Sequence, residues 1–325
     1  MKQYRISRKV ASIPIVAGGF ATIDLPRGYD YESLFIRINA SLNVSVGATS
    51  VRAEAPCQLV QRVEIIADGK NNLFSAPFWY ASLGNFNRSG IETGARATVP
   101  PTAATAATYA VEASACIDFM TVDGARPKDS NFRSSGLSLF QARLTFGAAS
   151  DCFVGGTVAF SGSPTVDVFT QEMIELPDAA GETTKPLALK KVSYQEIAIS
   201  ATNANQEIRL PAGNLIRSVL FRTEGNTTAG EPQIGTLNNL TLQSGVDVRM
   251  NLTSSQVRTK NNFDYGQITT GYYVADVSAR GNSDVNLSEL WDVTNQAEPK
   301  AIVDVTAGTA AKIQAVVTEY ILAGA

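Results

Sequence analysis

With 30 aspartates and glutamates and not one histidine in 325 residues, any acid-base chemistry in this chain would fall to carboxylates. The missing histidines exclude His-based nucleophile triads and most zinc and iron sites. Three carboxylate pairings come into view: Asp118 with Asp123, Asp276 with Asp304, and Glu172 with Glu319. The last two residues occupy corresponding positions of an internal repeat, which favours solvated strand positions over catalysis. No phosphate-cradling G-x-x-x-x-G-K-[ST], dinucleotide G-x-G-x-x-G or nucleophile-elbow G-x-S-x-G occurs. The chain is therefore not read as an enzyme. Loop aspartates such as Asp129 or Asp284 leave room for a structural calcium ion, although EF-hand spacing is absent. No other cofactor is indicated.

Two further clusters have the residue types for binding. Phe78, Trp79, Tyr80, Leu83 and Phe86 lie at roughly helical spacing. They could stack on sugars or bases, but the repeat replaces Trp79 with Gln256 and Leu83 with Lys260. A short helix packed at a sandwich end or a subunit contact is the preferred reading of these aromatics. Lys2, Arg5, Arg8 and Lys9 precede any acid before Asp24, and predict a basic arm ahead of the first strand that reaches an anionic surface. A net charge of −3 keeps such contact local and argues against a nucleic-acid-coated surface. VASIPIVAGGFA resembles a signal peptide's apolar core, but Pro14, Gly18 and Gly19 interrupt it. No run reaches transmembrane length. Cys57, Cys116 and Cys152 form no close pair and predict reduced, buried thiols.

The elements that would position these residues come in two sets. Apolar residues at 44% and charged ones at 18% describe a chain that buries a core, and its length favours two domains. Leu59, Gln61, Val63 and Ile65 alternate with Val60, Arg62, Glu64 and Ile66, then Asp68-Gly69 offers a hairpin turn. Ser75, with Pro77 behind it, predicts the cap of a short helix. Shifted by 177 residues, Val60, Val63 and Ile65 fall on Leu237, Leu240 and Leu242, and Gly69 meets Gly245 after a one-residue slip. Ile23-Asp24-Leu25-Pro26-Arg27-Gly28 matches Ile208-Arg209-Leu210-Pro211-Ala212-Gly213 at 185, as Ser33 and Arg37 match Ser218 and Arg222.

Weaker matches extend the series. Arg8-Lys9-Val10 pairs with Lys190-Lys191-Val192 at 182, the Tyr109 strand with Tyr273-Val277 at about 163, and Leu137-Ser138 with Leu287-Ser288 at 150. The closing strands, Val166-Ile174 and Ile313-Ile321, match at 147. The drift predicts eight extra residues between Val46 and Pro56 of the first copy, and about thirty between Glu92 and Gly136. The expected boundaries are 1–175 for an N-terminal β-sandwich unit, 176–189 for a polar linker and 190–325 for a C-terminal one.

Two all-β units with this order of strands, hairpin, short helix and long loop resemble the double jelly-roll major capsid proteins of tailless icosahedral viruses, the adenovirus and tectivirus lineage. The strand-then-turn segment Val63-Glu64-Ile65-Ile66-Ala67-Asp68-Gly69-Lys70 is the closest stretch, and the short loops look most similar to corticovirus and finnlakevirus capsid proteins. The resemblance implies an all-β fold of two tandem jelly-roll sandwiches with short helices. It implies a virion protein assembled in the host cytoplasm, forming pseudo-hexagonal homotrimers over an internal lipid membrane. Neighbouring trimers and minor capsid and vertex proteins would be its partners, with no sequence-specific nucleic acid. A secreted or surface glycan-binding jelly roll is the alternative.

Overall fold

A computed structural model describes residues 3–46, 49–84, 103–119, 131–175, 188–225, 230–266, 268–278, 287–296, 298–308 and 310–322. They cluster into two compact units, and the main body of the second starts at Ala188.

The strands of unit 1 are β1 (Gln3–Pro14), β2 (Phe20–Asp24), β3 (Asp30–Val46), β4 (Thr49–Val51), β5 (Val60–Ala67), β6 (Asn71–Ala76), β7 (Ala103–Ala104), β8 (Ala107–Asp118), β9 (Phe132–Arg133), β10 (Phe140–Phe146), β11 (Phe153–Val154) and β12 (Thr157–Glu175). One layer is β1-β12-β3-β8, with β9 on the end of β3. In the other, β6, β5, β10 and β2 pair in that order, all antiparallel. β3 shows why the layers stack: Leu34, Ile36, Ile38, Ala40, Leu42 and Val44 alternate onto one face and are at most 4% exposed.

Unit 2 contains β13 (Ala188–Ala198), β14 (Asn203–Arg209), β15 (Leu215–Glu224), β16 (Leu237–Ser244), β17 (Asp247–Thr253), helix α1 (Ser254–Tyr265), β18 (Tyr272–Asp276), β19 (Trp291–Asp292), β20 (Lys300–Val305) and β21 (Lys312–Leu322). Its layers are β18-β15-β21-β13 and β14-β20-β16-β17. This is the order of unit 1, strand for strand. β13 begins two residues before the expected boundary at 190. Ile216, Val219, Phe221, Leu240, Leu242, Trp291 and Val303 lie in one core between the layers.

Backbone pairing gives the repeat its true register. Ile65 and Leu242 occupy β5 and β16, and the Leu25 and Leu210 amides donate to the carbonyls of Phe140 and Pro299 at the same corner of each unit. The offset is 185 through β3 and β15, where Arg37 opposes Asp167 and Arg222 opposes Gln314. Three weaker sequence matches are corrected. Glu172 opposes Ile6 and Glu319 opposes Lys191, so β1 and β13 correspond at 185 and the Arg8-Lys9/Lys190-Lys191 match is three residues out. Ile117 corresponds to Ala275 at 158, because they face Leu34 and Val219, and Phe132 to Trp291 at 159, which sets aside Leu137-Ser138/Leu287-Ser288. Two- and three-residue matches of common side chains hold too little information to fix a register that ladder hydrogen bonds fix.

The extra residues of unit 1 are consequently split. Phe74 corresponds to Met250 at 176, so about eighteen lie between β6 and β8, and the fall from 159 to 147 places twelve between β10 and β12. Almost none separate β8 from β10, where the expected insert extended to Gly136. The hairpins explain the one-residue slip. In unit 1, Asp68 and Gly69 both have positive φ (52° and 70°) in a loop of three, while in unit 2 Gly245 (φ 55°) opens a loop of two.

Candidate functional site: sheet faces, a capped end and a duplicated ion pair

Arg5, Arg8 and Lys9 do not form an arm ahead of the first strand but lie within it. β1 starts at Gln3, and the three that are described each meet a carboxylate. Arg5 grips Glu32 through two hydrogen bonds of 2.7 and 2.8 Å, Arg8 grips Glu172 at 2.9 and 2.6 Å, and Lys9 reaches Asp167 at 2.7 Å. Lys2 lies outside the described residues. Sequence inspection missed this because the carboxylates are 27 to 164 residues away along the chain.

Glu172 and Glu319 do correspond, but they are not solvated: both are 0% exposed. Each lies on the core side of the last strand of its unit and meets a cation from the first strand. Lys191 approaches Glu319 at 3.1 Å, and the Asn214 side chain donates to it at 2.6 Å. Arg8 also lies over the ring of Tyr29, the counterpart of Asn214. The hydrogen bond to Glu172 raises the Arg8 pKa further above its ordinary value, with burial working against it.

The outer face of β1-β12-β3-β8 carries a row of alternating charge. Lys9 pairs with Asp167, and Arg37 with Glu112, one residue from each strand. Hydrogen bonds from Lys9 and Ser12 hold the Asp167 carboxyl below its usual range. Beside the row, Phe35 stacks on Phe169 with centroids 5.0 Å apart. On the matching face of unit 2, Arg222 is 1% exposed and donates to Glu224 (2.6 Å), Gln314 (2.9 Å) and the Gly230 carbonyl (2.8 Å).

At one end of unit 1, three insertions meet. β4 comes from the loop between β3 and β5, β7 from that between β6 and β8, and β11 from that between β10 and β12; together they form the sheet β11-β4-β7. The Arg52 amide bonds the Cys152 carbonyl, and the Cys152 thiol donates to the Ala55 carbonyl at 2.7 Å. Burial pushes the Cys57 thiol up to about 12 and raises Cys152 as well, so neither is an available thiolate. All three cysteines are unbridged, and Cys116 is only partly buried.

Ser75 is a strand residue of β6 that accepts from Arg62, not a helix cap. The helix expected after it is one π-helical turn, Tyr80–Gly84, and Phe78, Trp79 and Tyr80 are buried at 0, 5 and 7% exposure. Phe86 lies outside the described residues. In unit 2 the same place holds the three-turn α1, started by reciprocal bonds between Thr253 and Gln256.

The remaining carboxylates do not converge. Asp276, on β18, accepts from Tyr265 and Ser278, while Asp304 lies on β20 in the other layer and accepts from Asn238. Asp123, Asp129 and Asp284 lie outside the described residues. Among those described, no three Asp, Glu, Cys or His side chains gather as metal ligands, and no helix is long and apolar enough to cross a membrane.

No protein-family model and no curated protein matches the sequence. The fold matches almost end to end. The chain is a double jelly roll. It superposes on the crystal structure of the major capsid protein of Sulfolobus Turreted Icosahedral Virus with a TM-score of 0.77, at 16% identity over 98% of this chain and 97% of that one. The major capsid protein P2 from bacteriophage PM2 is similar at a TM-score of 0.64, 14% identity and 98% and 97% coverage. The PBCV-1 virus capsid gives 0.60, 12% identity and 99% and 95% coverage. The double jelly roll thus agrees with the two sandwiches expected from the repeat and with the fold that the resemblance implied.

Proposed function

We propose that this chain is the major capsid protein of an icosahedral virus, located in the virion and assembling as homotrimers. The observation that carries the reading is two complete jelly rolls in one chain, matched over 98% of its length by a viral major capsid protein. Three copies around a threefold axis would present six similar walls, a near-hexagonal tile suited to a flat facet. Neighbouring trimers would then be its main partners, with minor capsid and vertex proteins at the edges. The glycan-binding alternative lacks support, since Phe78, Trp79 and Tyr80, three of the aromatics considered for stacking, are buried. Electron microscopy of purified particles should show a pseudo-hexagonal lattice of this chain. A chain that stays monomeric at micromolar concentration, and is found outside the shell, would overturn the proposal.

An internal membrane under the shell, with assembly in the host cytoplasm, is part of the same proposal. The side chains of Arg5 and Lys9 remain 56% and 58% exposed on β1 and support contact with anionic headgroups near the N-terminus, together with Lys2. Their intramolecular partners weaken that attraction. Arg8 is committed to a buried glutamate and Lys9 pairs with Asp167 directly beside Phe169, so the informative variant exchanges Lys2 and Arg5 for glutamine and retains Arg8 and Lys9. It should keep its fold and oligomeric state but lose salt-sensitive binding to anionic liposomes; unchanged binding would remove the membrane role of these residues.

A further inference from the structure

Each unit has one exposed surface whose counterpart in the other unit is buried. On the outer face of β15 and β21, Ser218, Leu220, Arg222, Gln314, Val316 and Thr318 are all at most 7% exposed. On the equivalent face of unit 1, the Lys9 and Arg37 side chains are 58% and 47% exposed, and the stacked Phe35 and Phe169 are only partly covered. The segments after the β5-β6 and β16-β17 hairpins show the reverse. Phe78, Trp79 and Tyr80 of unit 1 are buried, whereas α1 of unit 2 turns Val257, Asn261 and Tyr265 inward and leaves Phe263 93% exposed. The chain thus carries an open sheet face with a half-covered aromatic pair on unit 1, and an uncovered helix with an aromatic knob on unit 2.

We propose that these two surfaces meet between copies: α1 of one chain seats Phe263 on the Phe35-Phe169 stack of a second copy of this chain. The inference rests on the trimer reading and names its contact. Two different surfaces make a heterologous interface, which closes into a ring of three when each copy is turned by a third of a circle from the last. An aromatic side chain buries some 150–250 Å² and prefers an edge-on or offset partner ring, which the stack provides. The flanking pairs, Lys9 with Asp167 and Arg37 with Glu112, are already neutralised within their own chain. They would form a polar rim around an apolar centre.

The test uses the full-length chain. Phe263 touches so little that F263E should fold normally, and sedimentation should show its trimer weakened at least about thirtyfold, the size of a hot-spot loss. F35E should do the same from the other side. Mixed together, the two variants should give a dimer with one chain of each, because one native contact per pair survives. To locate the contact, F263C treated with oxidised glutathione, which takes up the two electrons and leaves as the thiol, should form an interchain disulfide with Cys116, which lies directly opposite Phe35 in the β3-β8 ladder, and F263C/C116S should not. Trimers of F263E at wild-type strength would overturn the inference while leaving the trimer intact, and so would weakened trimers whose F263C cross-link maps away from β3 and β8. A wild-type chain that never trimerises would fell both readings.

Discussion

The two jelly rolls share strand order and register but differ in what surrounds equivalent residues. Arg37 and Arg222 occupy one position of the repeat, opposite Asp167 and Gln314. The first is a half-exposed surface ion pair, the second a buried hub with Glu224, Gln314 and a backbone carbonyl. Gly147 and Thr306 are likewise equivalent: their amides donate to the Leu59 and Thr236 carbonyls. Unit 2 accommodates a side chain there. In unit 1 the inserted loop brings the Gln58 carbonyl within 2.2 Å of where a Cβ would lie. The two units share one ladder, and the burial of each face decides what the same residue does.

Substitutions at twin positions test this directly, and the two tryptophans help, since Trp79 reports on unit 1 and Trp291 on unit 2. The largest contrast is expected for arginine. Arg222→Ala should cost about 3–5 kcal/mol by leaving the Glu224 charge buried and unpaired, while Arg37→Ala should cost under about 1 kcal/mol. Urea unfolding followed by fluorescence measures both, and equal losses would break the comparison. Gly147→Ala comes next, at about 1–3 kcal/mol from overpacking against Gln58, with Thr306→Ala well below it. Glu172→Gln and Glu319→Gln should each cost about 1–3 kcal/mol by removing a charge-assisted bond. The loss should be greater for Glu172, whose arginine partner is bidentate, than for Glu319.

The smallest expected effect is the acid dependence of unit 2. Burial would raise the Glu196 carboxyl, but hydrogen bonds from Gln314, Tyr194 and Lys312 outweigh it and hold the group below its ordinary value. A depressed folded pKa stabilises above the unfolded value and is lost as pH falls through the folded one. Stability should therefore decline below about pH 4.3, by under about 1 kcal/mol because the group is partly solvated. Glu196→Gln should flatten the Trp291-reported stability over that window; an unchanged slope would assign it to other carboxylates.

What the amino-acid sequence determined by itself was the architecture. Period-2 alternation in β3 and β5, the Asp68-Gly69 turn, and the I-x-L-P-x-G corner are local signals, set by which face of a pleated strand avoids water and which residues tolerate positive φ. Their recurrence at 185, 177 and 147 made two copies legible, and the buried strand positions agree with them. Only the tertiary structure decided the chemistry of the polar residues. A run of four cations looks like an arm until the sheet brings Glu32, Asp167 and Glu172 beside three of them. Two equivalent glutamates look solvated until the first strand of each unit lays a cation over them and the sandwich closes. The three insertions likewise became one small sheet only in space. Local patterning follows from the next few residues, whereas the fate of a charge depends on whatever distant strand lies 3 Å away.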